Sequence, residues 1–197
     1  MRYFGKRGYP RLKRASDVAL ATVGLVVTSP LMVLLTIAIW LDDPGPPVFR
    51  QLRAGRGHTP FIIFKFRTMR CDTPELSTEE LRAMGIRSFT RLGPILRKTS
   101  LDELPQLVNV LRGDMSVVGP RPALLTQAPV LSGREAASVH ILRPGITGLA
   151  QVSGRDDLTD VEKVAKDAEY LEKMGLLLDL RIMAATVFGL GRLPGTY

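Results

Sequence analysis

Ser100-Leu101-Asp102-Glu103-Leu104-Pro105-Gln106 sets two acidic side chains side by side among basic neighbours: Arg91, Arg97 and Lys98 precede them, Arg112 and Arg121 follow. A carboxylate can serve as a covalent nucleophile toward phosphorus, a second can hold a hard cation, and a helix N-terminus welcomes phosphate. The other use of such a pair is capping. Pro105 is tolerated only in a first helical turn, and Leu107, Val108 and Leu111 recur behind it at helical spacing. Asp102 and Glu103 therefore fall at or just before a helix N-terminus, where carboxylates accept backbone N–H groups and favour the dipole. Ser100 and Glu103 also spell a capping box, but that register places Pro105 too deep in the helix. This stretch alone is compatible with a cap and with a phosphorus nucleophile.

Arg121 stands between Pro120 and Pro122, so it is held extended with little backbone freedom. That suits bidentate phosphate binding, although a plain surface arginine in a stiff loop has the same sequence. A second turn-rich stretch, residues 143–155, ends on Gly154-Arg155, and its glycines let backbone approach a ligand closely. It is neither a Walker A loop nor a dinucleotide fingerprint.

The elements that must position these residues are partly legible. Residues 48–52 and 61–66 flank the Gly55-Arg56-Gly57 turn and read as a hairpin that carries Lys65. Pro74 opens a short helix to about Met84. Thr159-Asp160-Val161-Glu162 is a capping box that starts a helix to Met174, with Val161, Val164, Ala165, Ala168 and Leu171 on one face. Asp167 lies on that helix, where a solvated face is the default. Residues 176–190 are strongly apolar but too short to span a membrane, so they form a core helix or lie on a membrane surface.

The 197-residue chain is long enough for one compact domain. Its net charge is +8, yet 45% of its residues are hydrophobic. Basic and apolar together point to a membrane surface or anionic lipid rather than to nucleic acid. The single cysteine, Cys71, excludes an internal disulfide, and His58 and His140 have no zinc-like spacing. Residues 18–41 form an uncharged run, about 36 Å long as one helix, enough to cross a bilayer core. Ser29-Pro30 interrupts it near its middle, where a kink or break is expected. Lys13 and Arg14 on one flank, and Arg50, Arg53 and Arg56 on the other, all prefer the cytoplasmic side. A spanning helix would place one set outside; a helix–break–helix that dips into one leaflet and returns would not. Asp17 can pair with a basic neighbour at the entry point.

Taken in order, six motifs resemble the small monotopic phosphoglycosyl transferases, the bacterial sugar transferase family. They are Lys13-Arg14-Ala15-Ser16-Asp17, then Thr28-Ser29-Pro30, then Phe64-Lys65-Phe66-Arg67-Thr68-Met69, then residues 100–106, then residues 113–122, and Arg143-Pro144-Gly145-Ile146-Thr147-Gly148. The resemblance covers nearly the whole chain; Ser153, where the family more often has Asn, departs from it. It implies an α+β, mostly helical fold: residues 1–42 as basic N-terminus and re-entrant membrane helix, residues 43–197 as a small catalytic domain with a short β-hairpin and interfacial amphipathic helices. It implies transfer of a phosphosugar from a UDP-sugar to polyprenyl phosphate, typically undecaprenyl phosphate, with UMP released. Asp102 would be the nucleophile, Glu103 the ligand of Mg2+, and Lys65, Arg121, Arg155 and Asp167 would surround the phosphates and metal. Lys13, Arg14, Asp17, Ser29 and Pro30 would belong to membrane re-entry at the cytoplasmic face of the bacterial inner membrane. The competing reading is a non-catalytic, basic, membrane-anchored protein that binds anionic lipid or nucleic acid; paired acids at its site would gain such a binder nothing.

Overall fold

A computed structural model describes residues 9–74, 83–84, 88–154 and 157–188. Arg155, most of the helix expected over 74–84 and the C-terminal tail lie outside the described residues. Helix α1, Tyr9–Asp42, has 34 residues and is about 51 Å long at the α-helical rise. Val23, Val26, Val27, Leu34 and Leu41 are among the large apolar side chains it exposes, while Asp17, Ala21 and Ile39 are buried. The helix continues through Ser29-Pro30 instead of breaking there. Proline offers no N–H to the carbonyl four residues back, and the Ser29 hydroxyl donates to that carbonyl, Val26 O, at 2.9 Å. The Ser29 hydroxyl thus re-satisfies the carbonyl that the proline strips, as membrane helices allow, and Thr28 Oγ1 adds a bond of its own to Gly24 O at 2.7 Å.

Both polar ends of α1 are bonded to the rest of the fold. At the first, Arg14 donates to Val110 O at 2.6 Å and Leu111 O at 3.0 Å, and Asp17 accepts from Val117 N at 3.0 Å. At the other, Asp42 accepts from Leu92 N at 2.9 Å, and Asp43 pairs with Arg67 at 3.3 Å. An apolar middle is held between two docked ends.

Strands β1, Val48–Ala54, and β2, Pro60–Phe66, pair antiparallel, Val48 opposite Phe66. The expected hairpin is present and slightly longer than its apolar pattern. Helix α2, Gly93–Thr99, ends at Ser100, followed by a 3-10 turn over Leu101–Glu103 and helix α3, Gln106–Arg112. Strand β3, Ser116–Val118, then pairs in parallel with β4, Gly145–Thr147. Helix α4, Ala128–Ala136, lies between them in sequence, and α5, Leu149–Ser153, follows β4. Helix α6, Asp160–Lys173, opens on the expected capping box. Helix α7, Leu176–Val187, buries Asp179, Ile182 and Ala185 and exposes Leu176, Leu177 and Leu180, so it is a core helix on one face and apolar surface on the other.

Three expectations change. On α3 the buried residues are Gln106, Asn109 and Val110, while Leu111 is exposed, because the chain presses the polar side of α3 onto β2. On α6 the buried residues are Asp167 and Tyr170, and Val161 is 79% exposed. The glycines of residues 143–155 let backbone meet backbone: a Cβ on Gly145 would lie 2.1 Å from Gly119 N, and one on Gly148 2.1 Å from Gly119 O. They close the β3–β4 pair.

Candidate active site

Ser100, at φ 57°, holds the left-handed conformation that ends α2 and turns the chain into the 3-10 turn. A non-glycine residue there stores strain of order 1–3 kcal/mol, and the turn it makes delivers Asp102 and Glu103 to the hairpin. The N-cap positions of the 3-10 turn and of α3 fall on Ser100 and Pro105, so neither acid is the N-cap residue of either element. Glu103 Oε1 instead accepts from Lys65 Nζ at 2.8 Å and from Arg121 Nη2 at 3.2 Å. Asp102, 8% exposed, sits beside this ion cluster.

The two carboxyls are shifted in opposite directions by their surroundings. Burial pushes the Asp102 carboxyl up, the charge of Glu103 adds to that, and Lys65 and Arg97 offset it only in part. Burial would raise Glu103 too, but Arg121 and Lys65 outweigh it and hold Glu103 below the usual carboxylate range. Burial pulls the Lys65 ammonium down, against the pull of Glu103. Titratable neighbours separated by environment are the pattern expected where each has its own chemical task.

Strand β2 brings Lys65, and an asparagine seats the strand. Asn109 Oδ1 accepts from Phe64 N at 3.0 Å and its Nδ2 donates to Ile62 O at 2.7 Å, so the side-chain amide takes the place of a neighbouring strand on the free edge of β2. Arg121 is fixed by its own loop. The carbonyls of four successive residues are each taken by a donor from elsewhere. Gly145 N reaches Pro120 O at 2.8 Å, Arg134 Nη1 reaches Arg121 O at 2.9 Å, Arg53 Nη1 reaches Pro122 O at 3.3 Å and Ala54 N reaches Ala123 O at 3.0 Å. Burial, then the charge of Arg121, pushes the Arg53 guanidinium down to about 10.

The fold therefore brings together Asp102, Glu103, Lys65 and Arg121. Asp167 is 1% exposed and bonds Arg134, at 2.9 Å from Nε and 2.7 Å from Nη2; it meets the cluster through Arg134 and the Arg121 carbonyl. Lys13 belongs to a separate network, 2.7 Å from Asp179, which also accepts from Tyr9 and Tyr170. Arg14, Asp17, Ser29 and Pro30 remain on α1, away from the acidic pair in the bonds they make. Asn109, Arg134 and Arg53 are missing from the sequence-level site. A polar residue on the helical face next to Val110 was the available signal for Asn109; the two arginines had none.

Among the described residues no group of three or more His, Cys, Asp or Glu side chains could hold a metal. Two adjacent carboxyls do fit magnesium, which takes one or two protein carboxylates and fills its shell with phosphate and water.

The description "bacterial sugar transferase" belongs to the family model that matches residues 8–192. The UDP-glucose:undecaprenyl-phosphate glucose-1-phosphate transferase of Caulobacter vibrioides is 44% identical over 184 residues, 89% of this chain and 68% of that protein. The Escherichia coli protein of the same description is 39% identical over 90% of this chain, and this chain spans only 39% of its length. A UDP-N-acetylgalactosamine-undecaprenyl-phosphate N-acetylgalactosaminephosphotransferase of Aeromonas hydrophila is 38% identical over 91% of this chain and 43% of its own. With a family match over nearly its entire length and a basic, acid-centred site, this chain belongs to the bacterial sugar transferase family and is a phosphoglycosyl transferase.

Proposed function

We propose that the protein moves a phosphosugar from a UDP-sugar to polyprenyl phosphate, such as undecaprenyl phosphate, through a covalent intermediate on Asp102. An Asp102 carboxylate oxygen attacks the β-phosphorus, the bond from that phosphorus to the bridging oxygen breaks, and UMP leaves with the electron pair. An oxygen of polyprenyl phosphate then attacks the same phosphorus, a polyprenyl-diphospho-sugar forms and the Asp102 carboxylate is released. The observation that carries this reading is the buried Asp102 beside Glu103, with Lys65 and Arg121 both bonded to Glu103.

A carboxylate and a diphosphate repel, so the phosphoryl charge must be neutralised before attack. Lys65 and Arg121 are placed to contact phosphoryl oxygens, and Glu103 holds both cations until substrate arrives. Magnesium, held by Glu103 and the donor's phosphates, would supply Lewis-acid neutralisation of those oxygens. Arg155 adds a further cation in this reading.

Helix α1 is the membrane element, bent rather than broken at Pro30, where one backbone bond is missing, so that it enters and leaves on the cytoplasmic face of the bacterial inner membrane. Two things support re-entry: basic residues flank both ends, and both ends are bonded to one catalytic body. Docking at a bilayer brings a soluble nucleotide sugar and a lipid phosphate to one interface. Stopped-flow UMP release with magnesium and UDP-sugar, without acceptor, tests the chemistry. A burst of about one UMP per enzyme is expected; UMP formed only when polyprenyl phosphate is also present would overturn the two-step course.

A further inference from the structure

Arg134 is 9% exposed and Asp167 1% exposed, so this ion pair lies in the interior. Two guanidinium nitrogens, Nε and Nη2, converge on the one oxygen Asp167 Oδ2. Buried ion pairs are weak devices for stability, because desolvation offsets most of the attraction and apolar residues would pack the same space. The third nitrogen gives the pair a use: Nη1 leaves it and donates to Arg121 O at 2.9 Å.

The packing makes this reach possible. Helix α4 approaches α6 at Gly133, where a Cβ would stand 3.1 Å from Val164 Cγ2. That close approach brings the next residue, Arg134, to Asp167 three residues beyond Val164. The target is a backbone with one remaining freedom. Pro120 and Pro122 fix their own φ angles, and Pro122 also holds the ψ of Arg121 in the extended range, which leaves φ of Arg121 as the open torsion. A bond to the Arg121 carbonyl opposes rotation about it. The side chain of Arg121 is 53% exposed and long, so the direction in which its backbone launches it decides whether it meets Glu103.

We propose that Arg134, oriented by Asp167, is a positioning residue for the transfer reaction: it locks the Arg121 peptide so that the Arg121 guanidinium meets the donor's phosphates. The inference rests on the reading of Arg121 as a substrate-contacting cation. It also gives Asp167 its role, through Arg134 rather than by contact with substrate.

The test is a double-mutant cycle in the full chain, reconstituted in nanodiscs with magnesium and undecaprenyl phosphate. The donor is whichever of UDP-glucose, UDP-galactose, UDP-N-acetylglucosamine and UDP-N-acetylgalactosamine gives most UMP. Arg134→Gln is expected to lower kcat/KM for the donor about 10–100-fold, the scale for lost orienting contacts. In an Arg121→Ala background it should lower it no further than about twofold. Losses that multiply in the double variant would overturn the relay, and so would wild-type kcat/KM in Arg134→Gln. Arg134→Lys keeps the charge opposite Asp167 without the planar fork, and runs in the same cycle against the same outcomes if the Gln variant does not fold. Wild-type kcat/KM in Arg121→Ala, or no UMP from any donor, would instead overturn the reading of the site beneath it.

Discussion

Asp102 and Glu103 are neighbours in sequence and opposites in ionisation, because only Glu103 is bonded to two cations. A carboxyl must be ionised to attack phosphorus. With its pKa raised above the ordinary aspartate value of 3.8, Asp102 gives up its charge at a higher pH than a free aspartate, while Glu103, lowered from 4.5, keeps its own to a lower pH than a free glutamate. The acid limb of the burst rate is therefore expected above the usual aspartate range, from Asp102; a limb at or below 3.8 would contradict this. Linkage sets the sign for stability. A carboxyl with a raised folded-state pKa binds its proton more tightly folded than unfolded, so its charge destabilises the fold at neutral pH. Asp102→Asn is thus expected to melt higher than wild type at pH 7, with the difference shrinking as pH falls through the Asp102 pKa. A cap would behave oppositely, since its loss costs about 1 kcal/mol. A lower melting temperature for Asp102→Asn at pH 7 would return the residue to a structural role.

At the scale of elements, the site depends on a borrowed edge. Asn109 completes β2, and its loss leaves Phe64 N–H and Ile62 C=O unpaired against α3. Asn109→Ala is expected to lower stability by about 1–3 kcal/mol in urea titration and to weaken donor turnover through Lys65; unchanged stability would show that water replaces the amide freely. The same edge explains what the sequence concealed. Leu107, Val108 and Leu111 spell an apolar face, but in this protein apolar surface also faces outward, so periodicity could not tell core from membrane side. The hairpin was legible because turn glycines sit between β-rich runs, and the Thr159–Glu162 box because its bonds are local. The parallel β3–β4 pair was not, since Ser116 and Gly145 meet only in the folded chain. Asp102, Glu103 and Arg121 stood out by residue type and Lys65 only through the family resemblance; that Asp167 reaches them through Arg134 required the packing of α4 on α6.

At the scale of the whole molecule, α1 and the outer face of α7 expose many large apolar side chains, Val23, Val26, Val27 and Leu41 on the first and Leu177, Leu180 and Val187 on the second. A bilayer is the natural solvent for them. Within that setting the Ser29 hydroxyl replaces the N–H that Pro30 lacks, so Ser29→Ala is expected to destabilise the helix by about 0.6 kcal/mol, the average for polar contacts in lipid; a larger loss of insertion in a nanodisc assay would give Ser29 a further task. The proposed re-entrant topology rests on the docked ends. Cysteines at Gly5 and Arg56, with Cys71 replaced by serine, should both react from the cytoplasmic side of inverted vesicles. Labelling from opposite sides would make α1 a spanning helix and would be incompatible with both ends bonding one domain.

A single aspartate is proposed to carry the phosphosugar between two substrates, and intact-protein mass spectrometry reads this directly. Enzyme mixed with magnesium and a competent UDP-sugar, without lipid acceptor, should gain the mass of one phosphosugar, located by digestion on the peptide that contains Asp102 and discharged by adding undecaprenyl phosphate. An enzyme that turns over donor and acceptor together yet gains no mass at any time, or gains it unchanged in Asp102→Asn, would contradict the account.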